Sequence, residues 1–182
     1  VNDCAMGSTP WGTYLACEEN FNGYFFRTTT PMDPRSALEK RYGISPFGSG
    51  FRLHTTDPRF NADTEPNEPN RFGWVVEIDP FNPTSTPVKR TALGRFDDER
   101  NEYIYRYVSN LPWREARRKK INPLDDGILY VAKFNDDGTG VWLKLTPDNP
   151  ALATWTLNDI LINTRGAADA VGATMMDRPE WI

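Results

Sequence analysis

Trp74-Val75-Val76-Glu77-Ile78-Asp79, running into Pro80-Phe81-Asn82-Pro83, is the stretch whose reading decides the fold. Valine, isoleucine and tryptophan favour the pleated, half-buried surface of a strand. The Asp-Pro and Asn-Pro pairs that follow are a strong turn signal. Upstream, Trp11-Gly12-Thr13-Tyr14-Leu15-Ala16-Cys17 reads as a strand of mixed alternation that ends at Glu18–Glu19. A second aromatic run, Tyr24-Phe25-Phe26, follows Gly23. Downstream, strands are expected over Val88 to Phe96 and Glu102 to Ser109. In the latter Tyr103, Tyr105 and Tyr107 alternate with Ile104, Arg106 and Val108. Gly127 to Phe134, the turn Asn135-Asp136-Asp137-Gly138-Thr139-Gly140 and Val141 to Leu145 together read as a β-hairpin.

Between these strands the chain changes character twice. Residues 31–70 carry Pro31, Pro34, Pro46, Pro58, Pro66 and Pro69, and read as a long loop with a short helix around Pro34–Arg41. Near 151–171 a short helical segment is expected. Ala151, Leu152, Trp155 and Leu157, then Ile160 to Ile162, give one apolar face, with Asp148 or Asn149 as a cap. Strands without βαβ alternation favour an all-β fold, either a sandwich or a propeller. No clean internal repeat selects between the two. The 182 residues fit a single domain, 1–182.

The charge balance excludes some partners. With 21 basic and 25 acidic residues the net charge is −4, so no nucleic-acid partner is expected. No segment approaches the roughly 18 apolar residues of a membrane span, so no transmembrane segment is expected. The start at Val1-Asn2-Asp3-Cys4 has no basic-then-apolar export pattern, and a processed product or a fragment is expected. Two cysteines, Cys4 and Cys17, are too few for a disulfide framework. A single bridge and two thiols both stay open.

Several segments could carry chemistry. Glu18 and Glu19 close a strand and so face opposite sides, which puts at most one of them into a given site as an oxygen ligand for a hard cation. Asp97-Asp98-Glu99-Arg100-Asn101-Glu102 gathers four acids around one arginine. At a period of two, Arg100 and Glu102 share a face. A guanidinium fork matches phosphate oxygens two at a time, while a neighbouring metal polarises the ester. The plainer readings are a solvated acidic strand end for the first and a charged turn with internal ion pairs for the second. Arg114 to Lys120 reads as a solvated basic face, and His54, the only histidine, as a loop residue. One histidine excludes a His-rich zinc site.

The order and wording of these segments resemble the PhoX-type alkaline phosphatases. The resemblance rests on Thr9-Pro10-Trp11-Gly12-Thr13-Tyr14-Leu15 with Cys17-Glu18-Glu19-Asn20, on Pro66 to Asp79, on Thr86 to Phe96, on Asp97 to Tyr105 and on Gly166 to Trp181. It implies an irregular β-propeller, hydrolysis of phosphate monoesters to inorganic phosphate, and a centre of iron (Fe3+) and calcium (Ca2+) ions. It implies export to the periplasm or beyond by a twin-arginine signal, and a monomer is expected. By motif, Cys4 resembles the thiolate ligand of iron, Glu19 and Glu102 carboxylate ligands, Asp177 a calcium ligand and Glu180 a further one. Arg100 resembles the residue that grips the substrate phosphate.

The sequence departs from the family pattern at three points. Asp3 stands where the family commonly has Asn. Phe96 runs directly into Asp97, where family members usually carry an intervening stretch with a Lys-His-Glu motif. At roughly 40–45 residues per blade the chain makes only about four blades, a partial ring. A non-catalytic homologue that binds metal or a partner is the alternative, and a propeller hydrolase acting on sugar lactones is a third.

Overall fold

The computed structural model describes residues 2–28, 39–44, 50–96 and 102–177, with backbone alone for 2–4. Two antiparallel sheets dominate it. In the first, β1 (Asn2–Ser8), β2 (Tyr14–Glu19), β3 (Val75–Ile78) and β4 (Val88–Lys89) lie side by side in chain order. In the second, β5 (Tyr105–Ser109), β6 (Gly127–Phe134) and β7 (Gly140–Lys144) do the same. The helices are few and short: α1 (Trp113–Arg118), α2 (Leu157–Ile162) and α3 (Thr164–Ala170), with several 3-10 turns. This arrangement is compatible with the expected all-β class.

The strand expectations need four corrections. The opening segment, where no strand is expected, forms β1 and pairs with β2 from Asn2↔Glu19 to Ser8↔Tyr14. β2 starts only at Tyr14, because Gly12 at φ +90° closes a loop in which the Thr9 amide donates to the Thr13 carbonyl. The strand expected over Val88 to Phe96 stops after Lys89 and gives way to a 3-10 turn, Thr91–Leu93. Gly94 then adopts φ 87°, ψ 171°, a region essentially restricted to glycine. Finally, Glu102 forms an isolated bridge with Met176, and regular pairing in its segment begins at Tyr105.

Two cores lie beneath the sheets. Leu129 and Val131 of the second sheet, and Leu145 directly after β7, pack with Tyr103, Leu152, Ile160, Ala167 and Ala168. Thr156 and Asp159 form a capping box that fixes where α2 starts, while Asn149 caps the 3-10 turn Pro150–Leu152. The second core is aromatic: Phe21, Phe25, Tyr42, Ile44 and Phe72. It sits under the loop-rich region, where 3-10 turns at Leu53–Thr55, Pro58–Phe60 and Glu68–Arg71 take the place of long elements. The helix expected at Pro34–Arg41 lies partly outside the described residues, and 39–41 are helical.

Arg95 joins the two cores. It is 2% exposed. Its guanidinium donates to the carbonyls of Phe72 at 2.7 Å, Pro69 at 2.9 Å and Ile162 at 3.4 Å. The same group lies over the rings of Tyr42 and Phe21. A buried cation needs such a full set of acceptors, because a missing one leaves its desolvation uncompensated.

Candidate active site

The two acids at the end of β2 separate as strand geometry requires. Glu18 is buried and accepts from Lys89 Nζ at 2.7 and 2.9 Å and from the Trp74 amide at 3.1 Å. It is a structural carboxylate that ties β2 to β4. Glu19 is half-buried on the other side and accepts from Asn20 Nδ2 at 2.9 Å. Asn20 holds φ 52°, so the chain leaves β2 through a left-handed residue directly after Glu19. The β1–β2 ladder pairs Asn2 with Glu19 and Asp3 with Glu18, and Cys4 follows in the irregular stretch of the ladder before Met6. The Cys4 side chain lies outside those described.

Glu102 pairs through its backbone with Met176, the residue before Asp177. The Glu102 amide donates to the Met176 carbonyl at 3.1 Å, and the Met176 amide returns a bond of 2.8 Å. Asp177 follows immediately and is exposed. The Glu102 carboxylate is buried and lies 2.7 Å from Nε of Arg165, which is buried too. Arg165 stands second in α3, with its guanidinium 5.5 Å from the Tyr42 ring centre. The Tyr105 hydroxyl is also buried and has no hydrogen-bond partner among the described residues. Burial first, and then the Glu102 charge, hold that hydroxyl well above the ordinary tyrosine range. Burial likewise raises Tyr42, against the lowering pull of the Arg95 charge.

The sites read from sequence are thus brought together in two pairs, the Cys4 strand with Glu19 and Glu102 with the Met176–Asp177 segment. Contacts connect the two. Phe21, two residues after Glu19, packs 6.1 Å from Tyr42, whose hydroxyl accepts from the Arg165 amide at 3.5 Å. Arg100 and Glu180 lie outside the described residues. A calcium or iron site needs several oxygen or thiolate donors converging on one point. Among the described residues no three His, Cys, Asp or Glu side chains do so. Glu102 is met there by a cation, Arg165. The described residues therefore do not by themselves make the metal site that the resemblance implies.

Arg165 and Arg95 escaped the sequence reading. The available signal was an arginine among small and apolar helical residues, Asn163-Thr164-Arg165-Gly166-Ala167, where a charge can stay buried only with a partner. The basic run Arg114 to Lys120 covers α1 from its second residue and the two residues after it, and its basic side chains face solvent as expected. Asn135 to Thr139 is a hairpin turn. His54 lies in a 3-10 turn stacked 4.1 Å from Phe26.

Two antiparallel sheets, a buried Glu–Arg pair and an acidic strand end define a mainly β scaffold with its ionisable groups at strand ends. The sequence matches the family described as Alkaline phosphatase PhoX over residues 1–97 and 97–182. It is 45% identical to Pseudomonas fluorescens PhoX, whose structure was solved in complex with vanadate, a transition state analogue, with a TM-score of 0.87. That similarity covers 99% of this chain and 37% of the Pseudomonas chain, so this chain spans well under half the length of that relative. No curated protein matches. The chain belongs to the PhoX alkaline phosphatase family. The two matched segments meet at Asp97, directly after the junction where the Lys-His-Glu stretch was expected.

Proposed function

We propose that this chain carries part of the active site of a phosphomonoesterase that releases inorganic phosphate, for phosphate acquisition outside the cytoplasm after export. The observation that carries this reading is the family match along both segments, together with 45% identity to a phosphatase that binds vanadate. In this reading the sheets belong to an irregular β-propeller. Iron and calcium ions would be held by Cys4, Glu19, Glu102, Asp177 and Glu180. Arg100 binds the phosphate through two parallel N–H donors. Glu102, two residues on, is supported by Met176 on the backbone side and Arg165 on the side-chain side. The protein acts as a monomer.

A second reading is a non-catalytic homologue. The break in the family match at Asp97 and the Glu102–Arg165 pair favour it. The test is hydrolysis of a chromogenic phosphate monoester by the purified chain with calcium and iron supplied, beside Arg100→Ala. The proposal expects turnover in the parent and a loss of about 100-fold or more in the variant. Equal rates would remove Arg100 from the site. Bound calcium with no iron and no turnover would support the non-catalytic reading.

A further inference from the structure

Glu102 is 4% exposed and Arg165 3%, and their charged atoms lie 2.7 Å apart. A carboxylate this deep stays ionised only beside a cationic partner, and Arg165 is that partner. What the arginine provides is charge and direction. Its Nε stands 2.7 Å from Oε1, and that close opposite charge limits where the carboxylate can turn. The backbone of Glu102 is fixed independently by its two bonds to Met176, so the side-chain torsions are the freedom left to Arg165 to remove. Arg165 is itself fixed. Its amide donates to the Tyr42 hydroxyl, that hydroxyl also bonds the Arg95 carbonyl at 3.2 Å, and the neighbouring Thr164 hydroxyl accepts from the Arg95 amide at 2.9 Å. The carboxylate is thus aimed by a residue anchored to both cores.

We infer that Arg165 is a positioning residue for Glu102, an inference that rests on the phosphomonoesterase reading of the site. It acts through Glu102 and does not touch substrate. Its removal should lower turnover as far as removal of the Glu102 charge does, with little change in substrate affinity.

The experiment compares Arg165→Gln, Arg165→Lys, Glu102→Gln and the Arg165→Gln/Glu102→Gln double variant. The readouts are kcat and KM on a chromogenic phosphate monoester, and the urea midpoint of each protein. Lys89→Met is the control, because it breaks the Glu18 ion pair in the first sheet. The expected result is a loss of about 10–100-fold in kcat for Arg165→Gln, of the size found when groups that orient a functional carboxylate are removed. KM stays within about threefold, the double variant is no worse than the worse single variant, and Arg165→Lys recovers part of the loss. Lys89→Met lowers the midpoint and keeps kcat. A folded Arg165→Gln with full kcat, or losses that multiply in the double variant, would overturn the inference. If Arg165→Gln does not fold, Arg165→Lys decides, and full kcat in that protein overturns it. A parent chain without turnover overturns the phosphatase reading and this inference together, an outcome distinct from an active parent with an active Arg165→Gln.

Discussion

The Arg95 guanidinium lies 4.0 Å from the centre of the Tyr42 ring, and the Tyr42 hydroxyl donates to the carbonyl of Arg95 itself. The two residues hold each other through side chain and backbone at once. Arg95→Met keeps much of the volume but leaves the Phe72 carbonyl without its side-chain donor and takes from the Pro69 carbonyl one of two, the other being the Phe72 amide. We expect a loss of about 1–3 kcal/mol in urea unfolding, the cost of one buried acceptor stranded this way. A loss below about 1 kcal/mol would show that the loop carbonyls find other donors.

Glu77 gathers donors from distant parts of the chain. Trp11 Nε1 donates at 2.8 Å, Thr13 Oγ1 at 2.5 Å, Arg90 Nε at 2.7 Å and Asn122 Nδ2 at 3.0 Å. Burial alone would raise its pKa, but the bonds from Thr13, Trp11, Arg90 and Asn122 outweigh burial and lower it. A carboxylate depressed in the folded state stabilises the fold above its unfolded pKa of about 4.3, and that stability is lost as pH falls through the folded value. Glu77→Gln should therefore be less stable than the parent at pH 7, and the gap should close as pH falls below about 4. Parallel pH–stability curves for the two proteins would disprove this.

Tyr103 donates to Asp169, which also takes two bonds from Arg41, at 2.8 and 3.2 Å. Burial, and then the Asp169 carboxylate, push the Tyr103 hydroxyl up to about 12. The protonated phenol is thus favoured in the folded state. Its contribution is complete below the unfolded pKa of about 10 and disappears as pH rises through about 12. Tyr103→Phe should flatten the alkaline fall in melting temperature between those values.

Gly94 is strained for any other residue. A Cβ there would stand 2.7 Å from Leu129 Cδ2 and 2.9 Å from Thr164 Oγ1, on a backbone at φ +87°. Gly94→Ala should cost about 2–5 kcal/mol, from backbone strain and overpacking together. Urea unfolding checks it, and a cost under about 1 kcal/mol would mean that α3 shifts to make room.

The hairpin at Asn135–Gly140 and the strand at Val75–Ile78 were legible because each is decided by local signals, turn residues beside β-branched runs. The short strand at Val88 was misread because Gly94 and the buried Arg95 override a propensity that would have carried it on to Phe96. β1 was missed since Asn2-Asp3-Cys4-Ala5 is poor in strand formers and is held by its partner β2. At the candidate site, the separation of Glu18 from Glu19 followed from strand alternation. Which of them would be consumed by Lys89 did not, because that depends on a strand about 70 residues away. The Arg165–Glu102 pair was invisible for the same reason.

The sheets also set a timetable for assembly. β6 and β7 are joined by one tight turn, and such hairpins form in about 1–10 μs. In the first sheet β3 must find β2 across the long, proline-rich region, with Trp74 and Glu18 separated by 56 residues, and Arg95 reaches Thr164 across 69. Closing such loops spends chain entropy before any contact repays it. The three-stranded sheet is therefore expected early and the four-stranded sheet late. Phe21 and Phe25 come from before the loop-rich region and Phe72 from its end, so until that region folds the unfinished aromatic core is the surface on which a slow-folding chain would aggregate.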